Sequence, residues 1–221
     1  MMKKKPGEDG PDGIKMRHDM NEKNLSVRRL TDFAQVEDLY RTRMKQDFAR
    51  NELRPLAWLR RVWNDGAYEC YGLFAGEEIL GYAFFVRLGG NYLFDYFAIA
   101  QGHRDEGLGS FFLRELAARF AGADCVLGEV EDPERAKDAD ARAVRERRLR
   151  FYLRSGYRET ALTSCVFGAD YRLLEVPTAT AHTPEELKAI YTALCRSILP
   201  GLFFRTQFRV RCAPAGAGRN A

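Results

Sequence analysis

The chain has 221 residues, of which 46% are hydrophobic and 30% charged, and its formal net charge at pH 7 is +4. A chain of this length and composition can bury a core without disulfide bonds or metal ions, which excludes a small disulfide-stapled scaffold. No apolar run approaches the ~18 residues that a membrane-spanning helix needs, and so small a net charge does not by itself identify a polyanionic partner.

The N-terminal residues 1–24 are rich in Lys, Asp, Gly and Pro and lack the apolar stretch of a signal peptide. We therefore expect a disordered leader and a cytoplasmic protein.

The five cysteines are odd in number and widely spaced, which favours buried free thiols over a disulfide framework. The histidines His18, His103 and His182 follow no metal-ligand spacing, so we expect no metal site.

From residue 25 onward, strand-like and helix-like patterns follow each other. Residues 25–30 indicate an opening strand, and Thr31 or Asp32 can then cap an amphipathic helix. A second short helix follows Pro55. Three runs rich in Tyr, Phe and Val come next and predict an antiparallel meander over residues 68–75, 79–88 and 92–100.

A charged loop at residues 102–107 leads into another amphipathic helix, and a strand at residues 125–130 follows it. A strand–helix–strand unit makes a right-handed crossover, so this strand should lie parallel to the strand at residues 92–100 in a mixed sheet. An Arg-rich helix over about residues 138–155 has a solvated face in the simplest interpretation, although its arginines could also meet cofactor phosphates or nucleic acid. A hairpin at residues 157–167 and 171–176 completes the region.

Residues 177–221 form a C-terminal appendix to the region 25–176. The appendix begins with a capping box and a first-turn proline within residues 183–186, and an unbroken apolar stripe follows. The alternation of apolar and polar residues over 204–211 predicts one more strand, half exposed. Because an isolated helix of about 15 residues is marginal in water, the appendix should pack on its own domain or on a second subunit, which leaves a homodimer open.

The most specific pattern is the loop that connects the strand ending near residue 100 to the following helix. It contains Arg104, Gly107 and Gly109 and ends at Ser110. A helix start binds anions because its unpaired N–H groups and its dipole both face the loop, and glycines let a phosphate approach the backbone closely. A pyrophosphate would fit this loop.

This loop resembles the acyl-coenzyme A signature of the GNAT superfamily of N-acetyltransferases. The signature is Arg or Gln, two residues, Gly, one residue, then Gly or Ala, and here it is Arg104-Asp105-Glu106-Gly107-Leu108-Gly109. The family has a small residue and then Val or Ile just upstream, which matches Ala98-Ile99. A second family signature, Tyr, three residues, Gly and an aromatic, matches residues 152–157. The resemblance covers about residues 25–176.

The resemblance implies an α+β fold, with a mixed, mostly antiparallel central sheet and helices on both faces. It also implies transfer of an acetyl group from acetyl-coenzyme A (acetyl-CoA) to a primary amine by direct attack in a ternary complex. The backbone of Phe97, Ala98 and Ile99 would pair with the pantetheine arm of the co-substrate. The pyrophosphate would be held by Arg104, Asp105, Glu106, Gly107, Leu108, Gly109 and Ser110.

By the same resemblance, Tyr152 would be the general acid that protonates the departing thiolate. A phenol with a pKa of about 10 suits this role, because it stays protonated at pH 7. The attacking ammonium must first lose a proton, and a carboxylate, acting directly or through water, is the usual base. We favour Glu129 and then Asp95, and Glu131 shares a strand face with Glu129 by alternation.

Glycine loops before a helix also occur in nucleotide-binding motifs. A Rossmann site is disfavoured because Phe112 replaces the third glycine, and a P-loop is excluded because no Gly-Lys-Ser/Thr is present. A non-catalytic acyl-CoA sensor or scaffold with the same fold stays open. The acetyl acceptor should be a small-molecule or peptide amine, and we expect neither a membrane nor a nucleic acid as a partner. The pocket for the acceptor should come from residues 44–54 and the Gly168 turn.

Overall fold

The computed structural model describes residues 24–50 and 52–212, so residues 1–23 of the predicted leader lie outside the described residues. The strands are β1 (Leu25–Leu30), β2 (Tyr68–Ala75), β3 (Glu78–Leu88), β4 (Asn91–Ile99), β5 (Cys125–Glu131), β6 (Arg158–Val166), β7 (Ala169–Val176) and β8 (Phe208–Cys212). The helices are α1 (Phe33–Leu39, continued by Tyr40–Met44 and Lys45–Asp47), α2 (Leu56–Asn64), α3 (Leu108–Arg119), α4 (Ala139–Arg154), α5 (Pro184–Ile198) and α6 (Gly201–Gln207).

These strands form one sheet in the order β1-β2-β3-β4-β5-β7-β6-β8. The pair β4 and β5 is parallel, and the other neighbouring pairs are antiparallel. Helix α3 makes the crossover between the two parallel strands, as the strand–helix–strand pattern predicts. The mixed, mostly antiparallel sheet expected from the sequence is therefore confirmed.

Helices cover both faces of the sheet. Alternation along β3 sends Tyr82, Phe84 and Val86 to a core shared with α1, α2 and α5, and it sends Ala83 and Phe85 to a core shared with α3 and α4. The five cysteines are free thiols, three of them buried. Within residues 24–50 and 52–212, no helix is both long and apolar enough to cross a membrane.

Two local expectations differ from the structure. Residues 201–207 form α6, and the predicted strand begins only at Phe208. The chain leaves the helix at Phe208, the first residue of β8, whose ring stacks on that of Phe204 with centroids 4.9 Å apart. The β6–β7 turn is also tighter than predicted, because Phe167 (φ 49°) and Gly168 (φ 81°) both adopt left-handed backbone conformations.

The appendix packs on its own chain. Helix α5 begins with the predicted capping box between Thr183 and Glu186. Its apolar stripe is buried against the face of the sheet that α1 and α2 also cover, through Leu187, Tyr191, Leu194, Cys195 and Ile198. Strand β8 then pairs with β6 and extends the sheet. The appendix therefore completes one of the two core regions.

Deleting residues 183–221 should consequently lower the melting temperature strongly, because the deletion exposes the apolar sheet face that α5 covers. A milder test is Leu194→Ala, since Leu194 is 0% exposed. We expect this variant to lose about 2–5 kcal/mol of unfolding free energy in chemical denaturation. The matched control is Lys188→Ala, an exposed position on the same helix, where the change should stay within about 0.5 kcal/mol. Equal stability of the two variants would contradict this account of the appendix.

Candidate functional site

Strands β4 and β5 separate halfway along their length. They pair only from Asn91, opposite Cys125, to Phe94, opposite Gly128. At that point β4 also bulges on its other side, because β3 pairs with Phe94 and then with Tyr96, which leaves Asp95 as the extra residue. Within the described chain, the edge of β4 beyond Phe94 has no strand partner on the β5 side. Its free N–H and C=O groups can therefore bind an extended ligand.

A cleft with a volume of about 1020 Å³ opens where the strands separate. One wall is the β4 edge together with the start of α3, and a second is one face of α4. The remaining wall is formed by the loop before α2, the end of β5 and the β6–β7 turn. All three predicted catalytic residues line the cleft, as do most of the predicted cofactor-binding residues, namely Asp95, Glu129, Tyr152, Phe97, Ala98, Ile99, Arg104, Asp105, Gly107, Gly109 and Ser110.

The two signature glycines are required for different reasons. Gly107 has a φ of 81° and stands at the N-cap of α3, a left-handed conformation that other residues adopt only with strain. Gly109 lies so close to α4 that a Cβ atom there would be 3.1 Å from Cζ of Phe151. Gly107, Gly109 and Ser110 line the cleft, and so the unpaired N–H groups of the α3 start are available to an anion there.

The Arg-rich helix α4 contributes positive charge to the same wall. Arg147 and Arg154 line the cleft on either side of Phe151, and neither has a hydrogen-bond or ion-pair partner among the described residues. From the sequence alone, these arginines could belong to a solvated face or contact phosphates. Arg147 lies four residues before Phe151 and Arg154 three residues after it, a spacing that predicts one shared helix face. They add cations beside the α3 start that could contact phosphate groups.

Three predicted cofactor-binding side chains are engaged elsewhere. Arg104 donates from Nε to the Ile99 carbonyl at 3.1 Å and forms an ion pair with Asp47 at 3.0 Å, so it fixes the loop to α1. The Glu106 carboxylate lies 3.3 Å from Nδ1 of His103, and Leu108 is buried in the core. Neither Glu106 nor Leu108 lines the cleft, since their side chains turn away from it.

The Tyr152 side chain is half-buried on the cleft wall. Its ring packs against Tyr157, with centroids 5.3 Å apart, and lies edge-on to Phe94 at 6.4 Å. Burial raises the pKa of Tyr152 to about 12, while the positive charge of Arg148 opposes the shift. Its hydroxyl has no hydrogen-bond partner among the described residues, so a protonated phenol is available to a ligand in the cleft.

Two of the three carboxylates considered as a base are engaged with cations. The Asp95 side chain is 5% exposed, forms an ion pair with Arg54 and accepts a hydrogen bond from the hydroxyl of Tyr68. Glu131 forms ion pairs with Arg145 at 2.8 Å and Arg148 at 2.9 Å. Either carboxylate would therefore have to give up an ion pair in order to accept a proton from a substrate.

Glu129 differs from both. Burial raises its pKa above the ordinary value of 4.5, and a hydrogen bond from the Tyr191 hydroxyl and the charge of Arg54 partly oppose the shift. It forms no ion pair with any described residue. Its carboxylate is therefore the one of the three that can take up a proton without breaking an ion pair.

The segments expected to bind the acceptor meet in this cleft. Residues 47–48 and 52–55 line it from one side, and the β6–β7 turn lines it through Phe167. Trp58 on α2 and Tyr171 on β7 are among the aromatic lining residues that the sequence did not predict. Neither belongs to a motif, and only the tertiary fold brings them to the cleft.

A group of metal-ligand side chains lies elsewhere in the described chain. Ligand atoms of Cys125, Glu175 and His182 are within 4.8 Å of one another, although their sequence spacing predicts no such group. Nδ1 of His182 and Oε1 of Glu175 are already hydrogen-bonded at 2.9 Å. The group lies at the start of β5, opposite the end that carries Glu129, and we assign it no part in the function.

Comparisons with known proteins identify the fold. No protein-family model and no curated protein matches the sequence. A GNAT-family protein from Bacteroides thetaiotaomicron is 20% identical, with 77% of this chain and 96% of that chain covered and a TM-score of 0.60. The ribosomal-protein-S18-alanine N-acetyltransferase from Escherichia coli is 14% identical, with 72% and 97% covered and a TM-score of 0.53.

A third solved structure is a GNAT family acetyltransferase from Elizabethkingia anophelis with acetyl-CoA bound. It is 14% identical, with 69% of this chain and 97% of that chain covered and a TM-score of 0.50. At such identities the likeness concerns the fold. The fold class that the two sequence signatures imply is the one that the structure has.

Proposed function

Starting from a chain that has the GNAT fold, we propose that it transfers an acetyl group from acetyl-CoA to an amine. The observation that carries the proposal is the separation of β4 and β5 after Phe94, which gathers three chemical features around one cleft. A free strand edge can pair with the amides of a pantetheine arm, the start of α3 can bind a pyrophosphate, and Tyr152 can give a proton. The acetyl-CoA in the Elizabethkingia anophelis structure supports the choice of co-substrate.

Each part of the co-substrate has residues that fit it. The backbone of residues 97–99 offers N–H and C=O groups to the pantetheine arm, and one N–H there would polarise the thioester carbonyl. The α3 start from Gly107 to Ser110, flanked by Arg147 and Arg154, would bind the pyrophosphate. The side chain of Arg104 would support this loop from behind, since it is paired with Asp47.

Acetyl transfer makes one bond and breaks another. The neutral amine attacks the thioester carbonyl carbon, a C–N bond forms, and the C–S bond breaks as coenzyme A leaves. The amine's proton passes to Glu129, directly or through water, and the departing thiolate takes a proton from the Tyr152 hydroxyl. Positioning the two substrates should contribute to the rate about as much as the acid and the base do.

The rival function is non-catalytic binding of acyl-CoA. The two are distinguished by incubating the protein and acetyl-CoA with a panel of amines, measuring free thiol and identifying acetylated amines by mass spectrometry. Thiol release matched by acetylated product supports acetyl transfer. Stoichiometric acetyl-CoA binding without thiol release across a broad panel would favour the sensor, and absence of binding would overturn the proposal altogether.

The anion site can be tested with the double substitution Gly107→Val and Gly109→Val. Valine at 107 strains the left-handed backbone, and valine at 109 pushes against Phe151, so the N–H groups of the α3 start move away from the phosphates. We expect acetyl-CoA to bind about 10- to 100-fold more weakly by calorimetry, the loss of one charge-assisted hydrogen bond or more.

The control for backbone strain is Gly76→Val. Gly76 has a φ of 61° and an open neighbourhood, but it lies in the β2–β3 turn and does not line the cleft. This variant should bind acetyl-CoA like the wild type. Unchanged affinity in a folded double variant would show that the glycine loop is an ordinary helix start.

A further inference from the structure

Helix α5 of the appendix contacts one of the cleft-lining residues, Glu129, through a single side chain. Tyr191 is fully buried, and its hydroxyl donates a hydrogen bond to Oε1 of Glu129. The same hydroxyl oxygen lies 2.9 Å from Oγ of Ser164 on β6. A phenol has one proton to give, so while Tyr191 donates to Glu129, the Ser164 hydroxyl can donate to Tyr191.

The Tyr191 hydroxyl is held in place by its surroundings. Helix α5 is fixed by its capping box and by buried neighbours such as Leu187 and Leu194. The Tyr191 ring packs against Phe208 of β8, with centroids 5.4 Å apart. The donor is thus rigid, whereas a glutamate side chain alone has several rotatable bonds.

We propose that Tyr191 is a positioning residue of the acetyl-transfer site, which fixes the Glu129 carboxylate so that it meets the acceptor amine. The inference rests on the proposed function. It makes the C-terminal appendix a part of the site, although the appendix lies outside the region that carries the two sequence signatures. The appendix therefore contributes to chemistry as well as to stability.

Several groups around Glu129 determine how its charge responds to a change at Tyr191. They come from different elements: Arg54 before α2, Asp95 on β4, Ser164 on β6, Tyr171 on β7 and Cys195 on α5. Burial raises the pKa of Glu129 most, and Asp95 adds to the rise, whereas the Tyr191 hydrogen bond, the charge of Arg54 and a hydrogen bond from Ser164 lower the pKa. Removing the Tyr191 hydroxyl leaves the raising effects less opposed, so the pKa of Glu129 should rise further.

The test is Tyr191→Phe in the full chain, with a direct measurement of the Glu129 titration. Carboxyl-carbon NMR of glutamate-labelled protein, with the Glu129 signal assigned by its loss in Glu129→Gln, gives the midpoint without any need for turnover. We expect the midpoint to rise by about one pH unit, the effect of losing one hydrogen bond to a charged group. The rise of kcat/KM at low pH, its acidic limb, should move to higher pH by the same amount, while the affinity for acetyl-CoA stays unchanged.

A matched control separates positioning from packing. Leu194→Ala disturbs the same helix without touching the hydroxyl, so it should lower stability and leave the Glu129 midpoint where it is in the wild type. An unchanged Glu129 midpoint in folded Tyr191→Phe would overturn the inference, and so would a shifted midpoint that the kcat/KM profile does not follow. If the wild type itself transfers no acetyl group, the proposed function fails, and that result is distinguishable because it appears before any variant is compared.

Discussion

Replacing Tyr152 with phenylalanine is expected to lower kcat by about 10²-fold or more while leaving the fold and the affinity for acetyl-CoA intact. The substitution keeps the ring that packs on Phe94 and Tyr157 and removes only the hydroxyl. Because the pKa of Tyr152 is raised to about 12, the phenol is protonated throughout the neutral range and can serve as a proton donor. Steady-state kinetics with a known acceptor, together with calorimetry of acetyl-CoA binding, measure the two quantities.

Tyr157→Phe is the matched control for this experiment. Tyr157 is buried beside Tyr152 but does not line the cleft, so loss of its hydroxyl should leave kcat close to that of the wild type. If Tyr152→Phe retained wild-type turnover, Tyr152 would be a core aromatic residue and the acid would have to be sought elsewhere. If both variants slowed equally, the effect would come from packing of the aromatic cluster.

The second large effect is expected from Glu129→Gln, which should lower kcat/KM at neutral pH by about 10²-fold or more. A base works in its deprotonated form, so the wild-type rate should rise with pH through the pKa of Glu129. Burial raises that pKa above 4.5, which moves the acidic limb toward neutral pH. The variant has no titrating group at this position, and its profile should therefore lack this limb. A pH–rate profile of each protein decides the matter.

The other two carboxylates provide the comparison. Glu131→Gln should have the smaller kinetic effect, because Glu131 is already paired with Arg145 and Arg148. Asp95→Asn should act mainly on stability, since it leaves the partly buried Arg54 guanidinium without its counter-ion. A loss of the acidic limb in Asp95→Asn, with the limb retained in Glu129→Gln, would assign the base to Asp95 instead.

Local patterns predicted most of the fold. The meander of β2, β3 and β4, the crossover through α3 and the capping box at Thr183 each depend on residues close together in sequence, where periodicity and cap chemistry act directly. The misassigned segment at residues 201–207 is equally local. There the alternation of aromatic and polar residues suits a strand, but only the part from Phe208 onward is one, and Phe204 stacks on Phe208 from the preceding helix.

The candidate site was predicted less completely, for a physical reason. Motifs identify the glycine loop and Tyr152, because a helix start and a helix face are local structures. The partners of the carboxylates are not local: Arg54 lies 41 residues from Asp95, and Tyr191 lies 62 residues from Glu129. Which carboxylate is paired with a cation and which is left to titrate depends on contacts that only the folded sheet creates.

The docking of α5 also has a consequence for how the protein matures on the ribosome. A chain emerges from its N-terminus onward, and its earlier segments can begin to fold while later ones are still being made. The glycine loop and the separated strands β4 and β5 lie within residues 91–131, whereas the Tyr191 hydroxyl is translated 62 residues after Glu129. A nascent chain thus carries the free β4 edge and the start of α3 before it carries the group that we propose positions Glu129. If Tyr191 has the positioning role proposed above, efficient removal of the acceptor's proton should begin only once α5 has docked on the sheet.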